Sequence, residues 1–297
     1  MSDIKTPKNH TILVPVDFSL TSKNAMEYAV ELAKLFGNKI LLLNVLTSGM
    51  TSFFMSDEQK ALLKEGVQVK LDEFKKKILE QWPEAVVEYR IEEGGRPYKV
   101  INRVAKESNT DTIVMGTNGA NGVEQFLGST TSRTISSADV PVVAVKEHRA
   151  NHTFDNIVLP IDLTKSSKQK LTWAMRFASK YDSTVHVIME VEQDEFIKNK
   201  ADANLAYIER VLKQNNVNFV TKILDDRRYP DHLGMDTIQY ADEIDADLIM
   251  IMTHSERDFS QLFLGSYAKQ VVNSSQSTPV MTVNPKKTFT YEGLNLT

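Results

Sequence analysis

The residues best suited to chemistry fall in one stretch, Gly116-Thr-Asn-Gly119-Ala-Asn-Gly122-Val-Glu-Gln-Phe-Leu-Gly128-Ser129-Thr130. Glycine at 116 and 119 permits positive φ and close approach of the backbone to a ligand, while Gly128-Ser129-Thr130 presents amides and hydroxyls at the start of a helical pattern, where anions are favoured. Such a combination can hold phosphate. No lysine stands between Gly116 and Thr130, so the stretch is not a Walker A loop, and a phosphate there would be held by amides, hydroxyls and Arg133 one turn on. The same glycines also suit a plain tight connection, and both readings stay open. A second candidate is Asp17, which closes an apolar run. It ends a strand, at the edge of the sheet where ligands bind in open α/β folds. Asp17-Phe-Ser19 is equally a turn and helix-capping sequence.

Elements that would position these groups are legible in the periodicities. Thr11 to Val16 is a short β-branched apolar run; Thr21 to Phe36 carries Ala25, Ala29, Leu32, Ala33 and Phe36 at helical spacing, with Gly37 as its stop. Ile40 to Val45 reads as a strand buried on both faces. Ser56-Asp-Glu-Gln59 is a capping box that opens a helix with the stripe Val67, Leu71, Phe74, Ile78, ended by Pro83. The strand Val86 to Ile91, a helix from about Pro97 to Glu107, the strand Thr112 to Met115, a helix from Ser129 to Ser137 and the strand Val142 to Val145 follow. Five strands alternating with helices predict a doubly wound parallel sheet, with ligands beyond the carboxyl ends of its strands.

The pattern then repeats. Ile12-Leu-Val-Pro-Val-Asp17 is matched 145 residues later by Ile157-Val-Leu-Pro-Ile-Asp162, and, with small length differences between, Pro141 to Val145 is matched by Pro279 to Val283. Two tandem α/β domains follow, 1–147 and 153–297, with the polar link Glu147 to Thr153 between them. Met252-Thr-His-Ser255 replaces the glycines of the first copy, although Gly265-Ser266 and Asp162 persist. Side chains there would fill the space a phosphate needs, so the second copy is expected to bind nucleotide weakly or not at all and to serve as a structural partner. Asp225 to His232 and His254 form a charged group that reads first as solvated loop, with a different ligand site at the same sheet edge as the alternative; Phe53-Phe54-Met55 reads first as packing onto the neighbouring half, with a lid or partner surface as the alternative.

Composition excludes several classes. Lys+Arg 35 against Asp+Glu 39 gives net charge -4, no global field for nucleic acid or anionic lipid. With Cys 0, thiol catalysis, disulfides and thiolate metal sites fall away, and the 6 His show no zinc spacing. No apolar stretch approaches the roughly 18 residues of a membrane helix and no signal-type block follows Met1 to His10, so the protein is expected to be cytoplasmic.

Over nearly its whole length the chain resembles the universal stress protein family, in a tandem form. The family's glycine signature, Gly, two residues, Gly, nine residues, Gly-Ser/Thr, is matched by Gly116, Gly119 and Gly128-Ser129, with eight residues in place of nine before Gly128, and Pro141-Val-Val-Ala-Val145 resembles its last strand. The resemblance implies an adenine nucleotide alpha-hydrolase-like fold. It implies that Asp17 and Val45 meet adenine, and that Met115, Gly116, Gly119, Gly128, Ser129 and Thr130 meet ribose and phosphates of ATP, or of AMP or ADP, with Mg2+ as the accompanying ion. It further implies a stress-response switch, and pairing of the halves through Val142 to Val145 and Val280 to Val283 as an intrachain pseudo-dimer; homodimerisation stays open. Two alternatives remain: a weak ATPase or self-phosphorylating protein, with Glu124 as the carboxylate and Ser129 or Thr130 as acceptor, and a scaffold without ligand.

Overall fold

The computed structural model describes residues 10–47, 55–118, 127–147, 153–162, 169–191, 195–225, 233–253 and 264–285. Gly119, Phe53, Phe54, Glu124, His232 and His254 therefore lie outside the described residues. The chain divides into two compact units that meet between His148 and Arg149.

In the first unit β1 (Thr11–Pro15), α1 (Leu20–Phe36), β2 (Lys39–Leu46), α2 (Asp57–Gln81), β3 (Val87–Glu93), α3 (Pro97–Glu107), β4 (Thr110–Gly116), α4 (Ser129–Ser137) and β5 (Val142–Val145) alternate without exception. The strands are parallel and lie in the order β3-β2-β1-β4-β5. The first three strands run outward in one direction and the last two in the other, so order reverses between β1 and β4. Ile12, Leu13, Val14, Ile40, Leu42, Ile113 and Val114 are fully buried in the sheet's centre, as expected for strands covered by helices on both faces. Gly37 ends α1 in the left-handed region at φ 68, its N–H returning to the Ala33 carbonyl. The Ser56–Gln59 capping box is formed, and α2 buries Val67, Leu71, Phe74 and Ile78 and nothing else.

The second unit repeats the plan: β6 (Asn156–Pro160), α5 (Gln169–Tyr181), β7 (Thr184–Val191), α6 (Glu195–Gln214), β8 (Asn218–Asp225), α7 (Leu233–Glu243), β9 (Leu248–Met252), α8 (Ser266–Ser274) and β10 (Val280–Val283). Its strands are again parallel, in the order β10-β9-β6-β7-β8. No helix of the described residues is long and apolar enough to cross a membrane.

Candidate functional site

In the first unit a cavity of about 570 Å3 opens at the carboxyl edge of the sheet, where β1 and β4 lie side by side. A switch point leaves a crevice there because the helices after the two strands depart to opposite faces. Asp17, Val45, Met115, Gly116, Gly128, Ser129 and Thr130 all line it. The sequence reading did not single out Asn44, Thr47, Ser22, Pro97, Ile101, Asn118 and Thr131, which also line it. Only Asn44 carried a signal, an amide inside an otherwise apolar run.

The floor is built by the ends of β1 and β2. Val16 extends the pairing past Pro15, its N–H reaching the Leu43 carbonyl at 2.8 Å. The Asn44 side-chain amide donates to the Val16 carbonyl at 2.8 Å, which fixes its rotamer and leaves Oδ1 buried without a partner in a residue only 7% exposed. A buried acceptor left unpaired costs about 1–3 kcal/mol, and such groups call for a reason.

The turn into α1 holds Asp17. Its Oδ1 accepts the Ser19 N–H at 3.0 Å, and Ser19, not Asp17, caps the helix by accepting from the Ser22 N–H. The helix-capping alternative for Asp17 thus passes to its neighbour. Between them Phe18 stands at φ 65, a strained setting for a bulky residue that costs on the order of 1–3 kcal/mol. Its ring meets Phe74 of α2 edge-on, centroids 5.6 Å apart, and that contact opposes relaxation.

Gly116 departs from the sequence reading. It is not among the positive-φ glycines; what requires it is the close approach of α1. A Cβ there would lie 2.7 Å from the Thr21 carbonyl carbon and 2.9 Å from the Ser22 nitrogen. The missing side chain lets the start of α1 rest on the end of β4, where the Thr21 hydroxyl donates to the Asn118 carbonyl.

The first turn of α4 also lines the cavity. Gly128, its N-cap, supplies no side-chain oxygen to the helix's leading amides. Its own N–H bonds the Thr117 carbonyl at 2.8 Å, and the Thr131 hydroxyl donates to the Gly116 carbonyl at 2.8 Å. The turn is thereby locked while the N-terminal end of the helix, the positive end of its dipole, faces the cavity. Asp17 is the single charged side chain among the described residues of the lining. The space therefore offers a carboxylate beyond the end of β1, and backbone donors with the Ser129 and Thr130 hydroxyls from the helix, with Asn44 in its lining. Among the described residues no group of three His, Asp or Glu could hold a metal.

The second unit keeps the frame and changes the contents. Gly265 caps α8 with its N–H on the Thr253 carbonyl at 3.0 Å, as Gly128 does on Thr117. Met252, however, stands in the position of Gly116, and Met189, fully buried, in that of Asn44. Lys170 falls where Ala25 lies in α1 and is 3% exposed; burial drives its ammonium down to about 8, opposed by the Asp162 charge. Asp162, the counterpart of Asp17, has its carbonyl bonded by the Asn204 side chain at 3.1 Å.

Fold and cavity define a class: tandem doubly wound parallel-sheet modules with a switch-point crevice closed by a glycine turn. The model of the universal stress protein family matches residues 8–146 and again 153–284, and the chain belongs to that family, in tandem form. Universal stress protein MJ0531 of Methanocaldococcus jannaschii is 33% identical over 141 residues, 46% of this chain and 81% of that protein. Universal stress protein MJ0577 of the same organism is 26% identical over 157 residues, 46% of this chain and 93% of that one. Among solved structures, a universal stress protein from Archaeoglobus fulgidus superposes over 93% of this chain and 97% of its own, with a TM-score of 0.75 at 22% identity. That likeness concerns the fold of both units.

Proposed function

We propose that the first unit binds an adenine nucleotide, ATP foremost, and that this protein works in the cytoplasm as a nucleotide-dependent stress-response switch rather than as an enzyme. The observation that carries the reading is the convergence of Asp17, Asn44 and the uncapped first turn of α4 on one cavity of about 570 Å3. Base and phosphates have opposite needs, and the lining holds groups for each. Asp17 accepts from the exocyclic amine of the base, with Val45 and Met115 packed on the ring. The α4 amides, Ser129 and Thr130 take the phosphates. Mg2+ would arrive with the triphosphate, because a small hard cation of this kind is commonly held by phosphates and water rather than by a protein cage.

In the second unit, Met252 and Met189 present side chains where the first unit presents a bare backbone and an amide. This unit binds nucleotide weakly or not at all and serves as structural partner. The family resemblance favours pairing of the units through Val142–Val145 and Val280–Val283. Cysteine pairs introduced one into each of these strands, in a chain with no cysteine of its own, would cross-link within the chain if they pair.

Calorimetric titration of ATP into the parent and into a Gly128→Asp variant tests the reading. Gly128 has φ -60 and ψ 146, which aspartate adopts freely, and a carboxylate at that position caps the α4 amides and repels phosphate. The parent binds; the variant stays folded and loses at least tenfold in affinity. A parent that shows neither heat nor thermal shift with ATP refutes nucleotide binding.

A further inference from the structure

Charge is distributed unevenly along α3 and its neighbours. On one side Arg90 and Arg103 are matched by Glu92 and Glu107: Arg103 reaches Glu92 at 2.7 Å and Glu107 at 3.0 Å, Arg90 reaches Glu107 at 2.8 Å and also pairs with Glu92. Two cations meet two anions, and the group is neutral. Arg96 and Lys99 at the start of the same helix, and Arg133 in α4, form no ion pair with any carboxylate of the described residues. Here three positive charges are uncompensated.

Members of this group adjoin the cavity lining along the chain. Pro97, next to Arg96 and first residue of α3, lines the cavity, as does Thr130, one turn before Arg133 in α4. Tyr98 sits between the two arginines. The Arg133 guanidinium lies over its ring, 5.5 Å from the centroid. Its hydroxyl is held below the usual phenol range, first by hydrogen bonding from Arg96, with Lys99 and Arg133 adding to the effect. Arg96 precedes α3 without giving it a side-chain cap, and the first residues of α3 and α4, Pro97 and Ser129, both line the cavity. An exposed cluster of this sign, with no ion-paired carboxylate among the described residues, is complementary to an external anion, and guanidinium forks match phosphate oxygens in pairs.

We propose that Arg96, Tyr98 and Arg133 form a distal-phosphate subsite that makes the cavity select nucleoside triphosphates over monophosphates. This rests on the nucleotide reading above and adds to it. The α4 amides hold the phosphate nearest the ribose, present in every adenine nucleotide; the arginines, bridged by Tyr98, take the terminal phosphate, which only the longer ligands extend to the rim. Length of the phosphate chain then becomes what the site senses.

The test is a calorimetric comparison of AMP, ADP and ATP on the intact chain, on Arg96→Gln with Arg133→Gln, and on Arg103→Gln as a control whose arginine is already paired. In the parent, affinity rises from AMP to ATP by roughly tenfold or more, the scale of charge-assisted bidentate contacts. The double variant keeps the parent's AMP affinity within about threefold and loses most of the ATP preference, while Arg103→Gln keeps it. Equal binding of AMP and ATP by the parent overturns the subsite and leaves nucleotide binding intact. So does an ATP preference that survives the double variant, and so does an Arg103→Gln loss as large as the double variant's, which would mean diffuse charge. Absence of binding by all three nucleotides overturns the nucleotide reading itself.

Discussion

At Gly116 and at Lys170 a single atom or charge decides the outcome. Gly116→Ala would push a methyl carbon to 2.7 Å from the Thr21 backbone, and backbone cannot rotate away as a side chain can. We expect a loss of about 2 kcal/mol or more, as in overpacked cores, read as a lowered denaturation midpoint; an unchanged midpoint would show that α1 shifts freely. Substitution at 116 is therefore a poor probe of ligand contact, since it disturbs the fold first. Lys170 presents the opposite case, a charge at a core position. Its folded pKa, about 8 against 10.5, means that the unfolded chain binds the proton more tightly. Stability must then rise as pH climbs from 8 toward 10.5, with the whole penalty, roughly 3 kcal/mol at 1.36 per pH unit, present below pH 8. Lys170→Met should raise stability at neutral pH and flatten that slope. A parent whose denaturation midpoint does not change between pH 8 and 10 would contradict the buried ammonium.

At the scale of elements, the site is a matter of how turns end strands and start helices. The order of strands and helices in the first unit, the Gly37 stop, the α2 stripe and the exact spans of α3 and α4 follow from local rules of periodicity and capping, and all were legible in the sequence. Strand limits were less so: β4 begins two residues before the predicted Thr112 and β3 runs two beyond Ile91, because pairing partners, not composition, decide where a strand stops. The left-handed Phe18 was illegible, since nothing in Asp-Phe-Ser marks an aromatic residue for that region, and it is the contact with Phe74 that sustains it. Capping belongs to this scale as well. Gly128→Asp should hold or slightly raise the stability of α4, by about 0.5–1 kcal/mol, while ATP affinity falls. Measured together, the two quantities separate helix stability from ligand recognition; a variant that binds ATP like the parent would exclude the α4 amides from phosphate contact.

For the whole molecule, two units of one architecture carry different contents at the same edge of the sheet. A ligand that binds one native unit stabilises that unit by RT ln(1 + [L]/Kd), about 2.7 kcal/mol at a hundredfold excess over Kd. Thermal unfolding should therefore show ATP raising the transition of the first unit, with the second following only so far as the two are coupled. Fragment-resolved hydrogen exchange would assign each transition, and protection by ATP confined to the second unit would reverse the proposed roles.

The sequence by itself determined the tandem repeat, the alternation of strand and helix, the parallel sheet and which residues fall at its carboxyl edge, because each depends on periodicities and turn chemistry written within a few tens of residues. Only the tertiary structure decided what those residues face. It brought Asp17, Asn44 and the α4 turn to one cavity, showed that Gly116 answers to α1, and left Arg96 and Arg133 without an ion pair among the described residues, beside arginines that have one. Each of these is a contact or an absence between segments distant in sequence, fixed by packing of helices on the sheet, and local pattern contains no term for it.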